Sequence, residues 1–417
     1  MPASASYAEV FGSGEFRALF AGQLLSVAGD QLARVALSVL VYQRTGSAGL
    51  TALTYALTFL PDLLGGPLLS GLADRHPRRR VMIVSDLLRA ALVAAMAGPQ
   101  LPLPVVAALL VGVQLLNAPG GAARAALLPQ VLEGPRYVVG AAVLNITTQA
   151  AQIAGFAFGG LLVAVVGTGG ALLLDAGTFV ASAVLVWAWV RRRPASIGDD
   201  GPDPWWNSVT AGAVLVWTDR RLRALVALAC VSGFYIAGEA LAVPYAGEVG
   251  GGAAAVGLLL AAYPAGTVLG MAVVARLPEA TRLRLMAPMA VLACAPLTLC
   301  ALRPGLVLTL VLWTCSGAAS AYHLTASTTF VRAVPDARRG QAFGLAVTAL
   351  RVSQGLGVLA AGVAAEGLAA SSVVAGAGGL GVLAATGAAR AWYSSQRPHR
   401  PQPGDHGAAG GVAGTTD

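Results

Sequence analysis

Apolar runs of about twenty residues recur along the whole chain, at 16–43, 49–73, 81–98, 102–127, 138–166 and 168–190, then at 222–246, 253–276, 284–302, 305–330, 340–365 and 369–391. A hydrocarbon layer about 30 Å thick takes roughly 20 helical residues to cross, so each run predicts one membrane-spanning helix. The pattern predicts twelve, in two sets of six. Polar and apolar residues do not alternate position by position, which argues against a transmembrane β-barrel. The fold class expected is an all-α membrane protein.

The runs also divide the chain. A polar segment at 1–15 precedes a six-helix half at 16–192, a linker at 193–221 joins it to a second half at 222–392, and a tail rich in Pro, Gly and His fills 393–417. The linker region carries Arg191, Arg192 and Arg193, the acidic Asp199, Asp200 and Asp203, and an amphipathic stretch from Trp205 to Trp217 that predicts a helix lying in the interface. The tail is expected to be disordered, since it lacks the apolar residues that bury a core. Glu9 and Glu15 stand where a cleaved signal peptide has basic residues, so none is expected.

Composition agrees with this layout. Of 417 residues, 56% are hydrophobic and 11% charged, with a mean hydropathy of +0.71, against roughly 45–50% and 25% in soluble domains. The net charge of +8 comes from 27 basic residues, all arginine, and 19 acidic ones. The arginines gather in short connections rather than on one face, which speaks against nucleic-acid binding. Arg75 to Arg80, Arg191 to Arg193, Arg220 to Arg223, Arg276 to Arg284 and Arg332 to Arg339 all fall on one side of the predicted layout, leaving Arg44 and Arg303 on the other. By the positive-inside rule both termini and the linker are expected in the cytoplasm of a multi-pass cell-membrane protein. Cys230, Cys294, Cys300 and Cys315 lie inside apolar runs without metal-ligand spacing, so neither disulfides nor zinc are expected.

Between the second and third runs the chain reads Gly71-Leu-Ala-Asp74-Arg75-His-Pro-Arg78-Arg79-Arg80. This resembles the loop signature of the major facilitator superfamily, with one residue fewer between Gly and Asp and Pro77 in place of a glycine. Phe16-Arg17 to Gln23, Gly29-Asp30, Val41 to Ser47, Ser85 to Ala90 and Gly340 to Gly344 are similar to the subgroup holding enterobactin exporters and macrolide efflux proteins. The resemblance covers nearly the whole chain. It implies a secondary active transporter that exports small amphipathic molecules by alternating access, with Gly71, Asp74, Arg75, Arg78 and Arg79 as a conformational-switch loop. Two departures leave proton antiport open: the fourth run has Arg124 near its end instead of a central arginine, and the fifth keeps Gly155, Gly159 and Gly160 but has Phe156 where that family's motif has proline. An offset of 206 residues brings Arg17-Ala18-Leu19 onto Arg223-Ala224-Leu225 and the first three runs onto the seventh to ninth, as a two-half carrier requires.

An ionised side chain at mid-membrane costs at least about 2.5–3.5 kcal/mol on insertion scales, so each needs a partner or a purpose. Asp30 and Arg34 are four apart on one helix and are expected to pair and line a central cavity; the competing reading is a self-neutralising pair. Glu239, in the seventh run, maps beside Arg34 under the 206 offset and is the first candidate for protonation. Asp62 and Arg351 are further candidates for coupling or for a mutual ion pair, Asp86 and Arg89 read as a structural pair, and Asp175 is ambiguous. Gln149, Gln152, Asn145 and His323 read as helix-helix contacts or substrate ligands. Gly65-Gly66-Pro67 and Tyr263-Pro264-Ala265-Gly266 predict bends in corresponding helices.

No G-x-S-x-G, H-E-x-x-H or G-x-x-x-x-G-K-[ST] motif is present, so neither an enzyme nor an ATP-driven pump is expected. The alternative to transport is a receptor or scaffold that has kept the fold. The partners expected of a monomer are a small-molecule substrate, protons and the lipid bilayer, with no cofactor. Thiol-accessibility mapping should find residues 74 to 80 and 300 to 305 on opposite sides of the membrane; exposure on one side would overturn the layout.

Overall fold

The computed structural model describes residues 7–58, 61, 76–98, 101–133, 135–193, 216–334 and 339–396. Among these, helices and turns account for the chain and there are no strands. A short helix α1 (Tyr7–Phe11) leads into α2 (Gly14–Thr45), α3 (Ala48–Leu57), α4 (Arg78–Met96), α5 (Leu103–Val131) and α6 (Pro135–Trp189). The second set holds α7 (Arg220–Cys230), the short pieces α8 (Ser232–Tyr235), α9 (Ala237–Ala240) and α10 (Ala242–Glu248), then α11 (Ala253–Val274) and α12 (Glu279–Thr298). It closes with α13 (Leu306–Ala319), α14 (Tyr322–Ala333), α15 (Arg339–Ala364) and α16 (Ala370–Ser395).

Local chemistry sets several of these ends. Ser13 caps α2, its hydroxyl accepting the Phe16 N–H at 3.3 Å, and Gly46 ends that helix with φ 65° while its N–H returns to the Tyr42 carbonyl at 2.8 Å. Ser47 starts α3 at once by accepting the Leu50 N–H at 3.0 Å. Helix α6 is two arms folded at Gly167, whose φ of 73° and ψ of 172° suit only glycine; residue 167 is also where the fifth and sixth apolar runs part. Nine helices among the described residues are long and apolar enough to cross a membrane, with the folded α6 taken as one and α3 shorter. Large apolar side chains point outward, among them Val165, Leu302, Val307 and Val363, each more than 70% exposed. Such a surface is stable against lipid and not against water.

The seventh run is expected as one helix and stays helical from Arg220 to Ala240, with irregular turns at Val231, Ile236 and Leu241, and the tenth has one between Ala319 and Tyr322. The first lies where helices approach closely: a methyl added at Gly233 would stand 2.9 Å from the Ser353 carbonyl carbon, and one at Gly238 3.1 Å from the Trp313 ring. At the second, the Ser320 hydroxyl donates to the Gly317 carbonyl at 2.7 Å and competes with the helix ladder. Helix α11, by contrast, runs through Pro264 without a break in its assignment. The paired Gly65-Gly66-Pro67 site lies outside the described residues, as does most of the stretch read as an interfacial helix.

The two sets meet chiefly through α3 on α15 and α6 on α11. Both contacts lie at the arginine-poor end and both depend on glycine. A methyl on Gly160 would stand 2.8 Å from Gly257 Cα, and one on Gly362 3.3 Å from Gly49 Cα. Gly155 and Gly159, the other glycines of that run, instead let α6 lie against Ala28, Gln31 and Leu32 of α2. Gly160→Leu is expected to destabilise this closed end by about 1–3 kcal/mol, the usual cost of overpacking. Faster alkylation of a cysteine introduced at the buried Val256 reads the effect, and unchanged labelling refutes it.

Candidate functional site

Below the closed end the two sets enclose a composite cavity. Its larger part, about 430 Å³, lies in the second set and is lined by Tyr235, Tyr263, Thr267, Ser320, His323, Phe330, Phe343 and Gln354, with aliphatic side chains between them. Tyr235 and Tyr263 stack with ring centroids 5.5 Å apart. The Tyr235 hydroxyl lies 2.7 Å from His323 Nε2, and His323 stacks on Tyr322 at 4.4 Å. Faces of this kind take up flat or amphipathic molecules without demanding one hydrogen-bond pattern.

A smaller pocket of about 180 Å³ shares Tyr263, Thr267 and Gln354 with the first and is polar, lined also by Arg34, Tyr55, Gln149, Gln152, Glu239 and Arg351. It draws on both sets. The Tyr55 hydroxyl of α3 donates a short hydrogen bond to Glu239 Oε2 on α9, so a phenol of one set and a carboxyl of the other are joined inside the protein. Arg34 and Glu239 thus face one pocket. Tyr55, a lone tyrosine in an apolar run, carried no signal in the sequence beyond its hydroxyl, and the stacking of Tyr235 on Tyr263 carried none.

The expected pairing of Asp30 with Arg34 does not form. Arg34 donates to Gln31 Oε1 at 3.2 Å and to the Thr58 carbonyl at 3.4 Å, while Asp30 receives Arg89 Nη2 at 2.8 Å. Spacing along a single helix is outcompeted by a guanidinium on a neighbouring helix, which α4 brings to Asp30 in a buried site. The expected Asp86–Arg89 pair is likewise replaced: Asp86 accepts from the Ser182 hydroxyl at 2.7 Å. Asn145 bonds back to the Ala141 carbonyl at 3.0 Å on its own helix. Asp62, Gly71, Asp74 and Arg75 lie outside the described residues.

Arg78 and Arg79 are described. Arg78 Nη1 donates to the Ala126 carbonyl at 2.8 Å, and Arg79 reaches the Val186 carbonyl at 3.4 Å and the Trp187 carbonyl. These carbonyls lie in the C-terminal parts of α5 and α6, toward the negative end of each helix dipole.

At the opposite end Glu366, exposed between α15 and α16, crosses to the first set. Its Oε1 accepts from the Ser47 hydroxyl and the Gly49 N–H, each at 2.6 Å, at the N-terminus of α3. The hydrogen bond from Ser47, with that from Gly49, holds the Glu366 carboxyl below its ordinary value of 4.5.

Lipid-facing helices around a cavity that is part aromatic and part charged define a multi-pass membrane protein. The sequence model described as Major Facilitator Superfamily matches residues 19–245 and 224–414, and the chain belongs to that family. It is 32% identical over 225 residues to the multidrug efflux pump Tap of Mycobacterium bovis, a match over 50% of this chain and 52% of that protein. Over 77 residues it is 35% identical to macrolide efflux protein A of Streptococcus pyogenes, 18% of this chain and 19% of that one. The chain therefore spans about half or less of the length of the curated relatives it matches. In fold it is similar to a POT family transporter crystallised with 5-aminolevulinic acid, with a TM-score of 0.73 at 10% identity over 95% of this chain and 99% of that one. It is also similar to a bacterial homologue of the iron transporter ferroportin in an inward-facing state, with a TM-score of 0.66 at 16% identity over 94% and 100%.

Because Glu366 has a lowered value only while it bonds α3, its contribution to the closed end is complete above 4.5 and is lost as pH falls through the lowered value. Spin labels at Leu50 and Leu368 are expected to stay close at neutral pH and to separate only below about pH 4.5, the ordinary value for this carboxyl. Glu366→Gln should separate them at neutral pH with no pH dependence.

Proposed function

We propose that the chain is a secondary active exporter of small amphipathic molecules, working by alternating access and coupled to protons through Glu239. One observation carries the reading: the hydrogen bond between Tyr55 and Glu239 joins the two helical sets at the polar end of an aromatic cavity. A carboxyl there is a switch. Ionised, it accepts from the phenol and answers Arg34; protonated, it loses most of its attraction for both, and the joint between the sets weakens. Arg351 and Asp62 are proposed as the remaining charged components, with Gln149 and Gln152 offering hydrogen bonds to a bound molecule.

The layout that goes with this function has twelve spans in two halves, 16–192 and 222–392, joined by a cytoplasmic linker at 193–221, with 1–15 and the tail at 393–417 also cytoplasmic. The arginine-poor end is then the outer one, and the described conformer is closed outward. Arg78 and Arg79, holding the carbonyl ends of α5 and α6, act with Gly71, Asp74 and Arg75 as the inner switch loop. Gly155, Gly159 and Gly160 allow α6 to slide against α2 and α11. The substrate class follows from the cavity: about 430 Å³ of stacked tyrosines and aliphatic side chains beside hydroxyls and amides suits compounds with an apolar body and a few polar groups. The likeness to efflux pumps supports the direction of transport.

The test is transport in proteoliposomes under an imposed pH gradient, with a fluorescent amphipathic dye and a radiolabelled macrolide as probes. Glu239→Gln should abolish gradient-driven movement while leaving purification and helix content intact. Tyr55→Phe should shift the equilibrium away from the outward-closed form by about ten- to a hundredfold, the worth of a charged hydrogen bond of about 1.5–3 kcal/mol. Unchanged gradient-driven transport in Glu239→Gln removes the carboxyl from coupling, and absence of transport for every probe in the unaltered protein favours the receptor reading.

A further inference from the structure

A second charged cluster lies inside the first helical set, apart from the cavity. Among the described residues its titratable members are Asp30 on α2, Asp86 and Arg89 on α4, Arg124 on α5 and Asp175 on α6. Three carboxyls face two guanidiniums, so the fully ionised cluster carries one uncompensated negative charge at membrane depth, and a single proton neutralises it.

The hydrogen bonds indicate which carboxyl holds that proton. Asp30 receives Arg89 at 2.8 Å and Asp86 receives Ser182 at 2.7 Å. Asp175 is 1% exposed, and its Oδ2 has no hydrogen-bond partner among the described residues. Its Oδ1 lies 3.3 Å from the Thr178 hydroxyl, whose shorter bond of 2.7 Å goes to the carbonyl of Asp175 itself. An ionised carboxylate is acceptor-only and is costly to bury with an oxygen left bare. The neutral acid fits this site.

Arg89 is placed to serve either acid. Its guanidinium carbon sits 4.1 Å above the ring of Phe179, which is one helical turn from Asp175 and on the same face of α6. Gly29, next to Asp30, has no side chain, and its position lets the Asp175 carboxyl lie directly against α2. The Asp30 side chain is 20% exposed and that of Arg89 only 4%. One guanidinium therefore pairs with the partly open carboxyl and packs on the face of α6 that carries the sealed one.

We propose that this cluster is a second proton-binding site, in which one proton is shared between Asp175 and Asp30 under the control of Arg89. In the described conformer the proton is on Asp175 and Arg89 pairs with Asp30. When Arg89 crosses to Asp175, the O–H bond there breaks, an O–H bond forms on Asp30, and the charge of the cluster is unchanged. Asp30, the more exposed acid, is the point at which the proton exchanges with water. The site lies wholly within the first set and adds a proton to the one assigned to Glu239.

Infrared spectroscopy of the purified protein carrying Glu239→Gln tests this independently of transport, because the cavity carboxyl is then absent. A protonated-acid C=O band that shifts in D2O is expected at neutral pH and should vanish in Asp175→Asn. It should also vanish in Asp30→Asn, since Arg89 is then left to pair with Asp175 and ionise it. Both substitutions are near-isosteric and uncharged, and size-exclusion profiles verify that the variants remain folded. Survival of the band in Asp175→Asn or its persistence in Asp30→Asn would each overturn the shared-proton assignment.

Discussion

A charged or hydrogen-bonding group inside hydrocarbon has no water to satisfy it, and that constraint accounts for most of what is distinctive in this protein. It forces the backbone into helices, confines irregular backbone to places buried in protein or lining a cavity, and obliges each interior charge to find a partner. The irregular turns at Val231, Ile236 and Leu241 obey it: they lie within protein, and Glu239 among them lines the polar pocket.

The same constraint makes polar contacts between the helical sets informative. Packing alone joins them at Gly160 with Gly257 and at Gly49 with Gly362, where backbones touch because side chains are missing. Two carboxyl contacts are added to that seam, Glu366 at the surface and Glu239 within the protein. Their environments differ in a way that suits different roles. Glu366 is exposed, doubly hydrogen-bonded and ionised throughout the neutral range, so it acts as a fixed latch. Glu239 is buried, with one phenol as its donor and a guanidinium lining the same pocket, the environment on which its proposed role as a proton switch rests.

The fold was largely legible because its signal is long-range and one-dimensional. Twenty-residue apolar runs, the glycine at 167 between two of them, and arginines gathered in alternate connections need no knowledge of partners. The charge pairs were less legible. Asp30 and Arg34 satisfy the spacing rule for a helix surface, yet Asp30 pairs with Arg89 of another helix, because a spacing rule ranks only the neighbours on its own helix, and Arg34 is left to Gln31 and the Thr58 carbonyl.

What the sequence determined by itself, then, is that the chain is helical, embedded in lipid and poor in interior charge, since these follow from transfer energies that residues carry wherever they lie. What only the tertiary structure decided is which charges meet. Glu239 with Tyr55, Asp30 with Arg89 and Asp86 with Ser182 are pairs between helices, and helix order and rotation are fixed by packing of small residues against backbone, a property of the assembled surfaces and of no single segment.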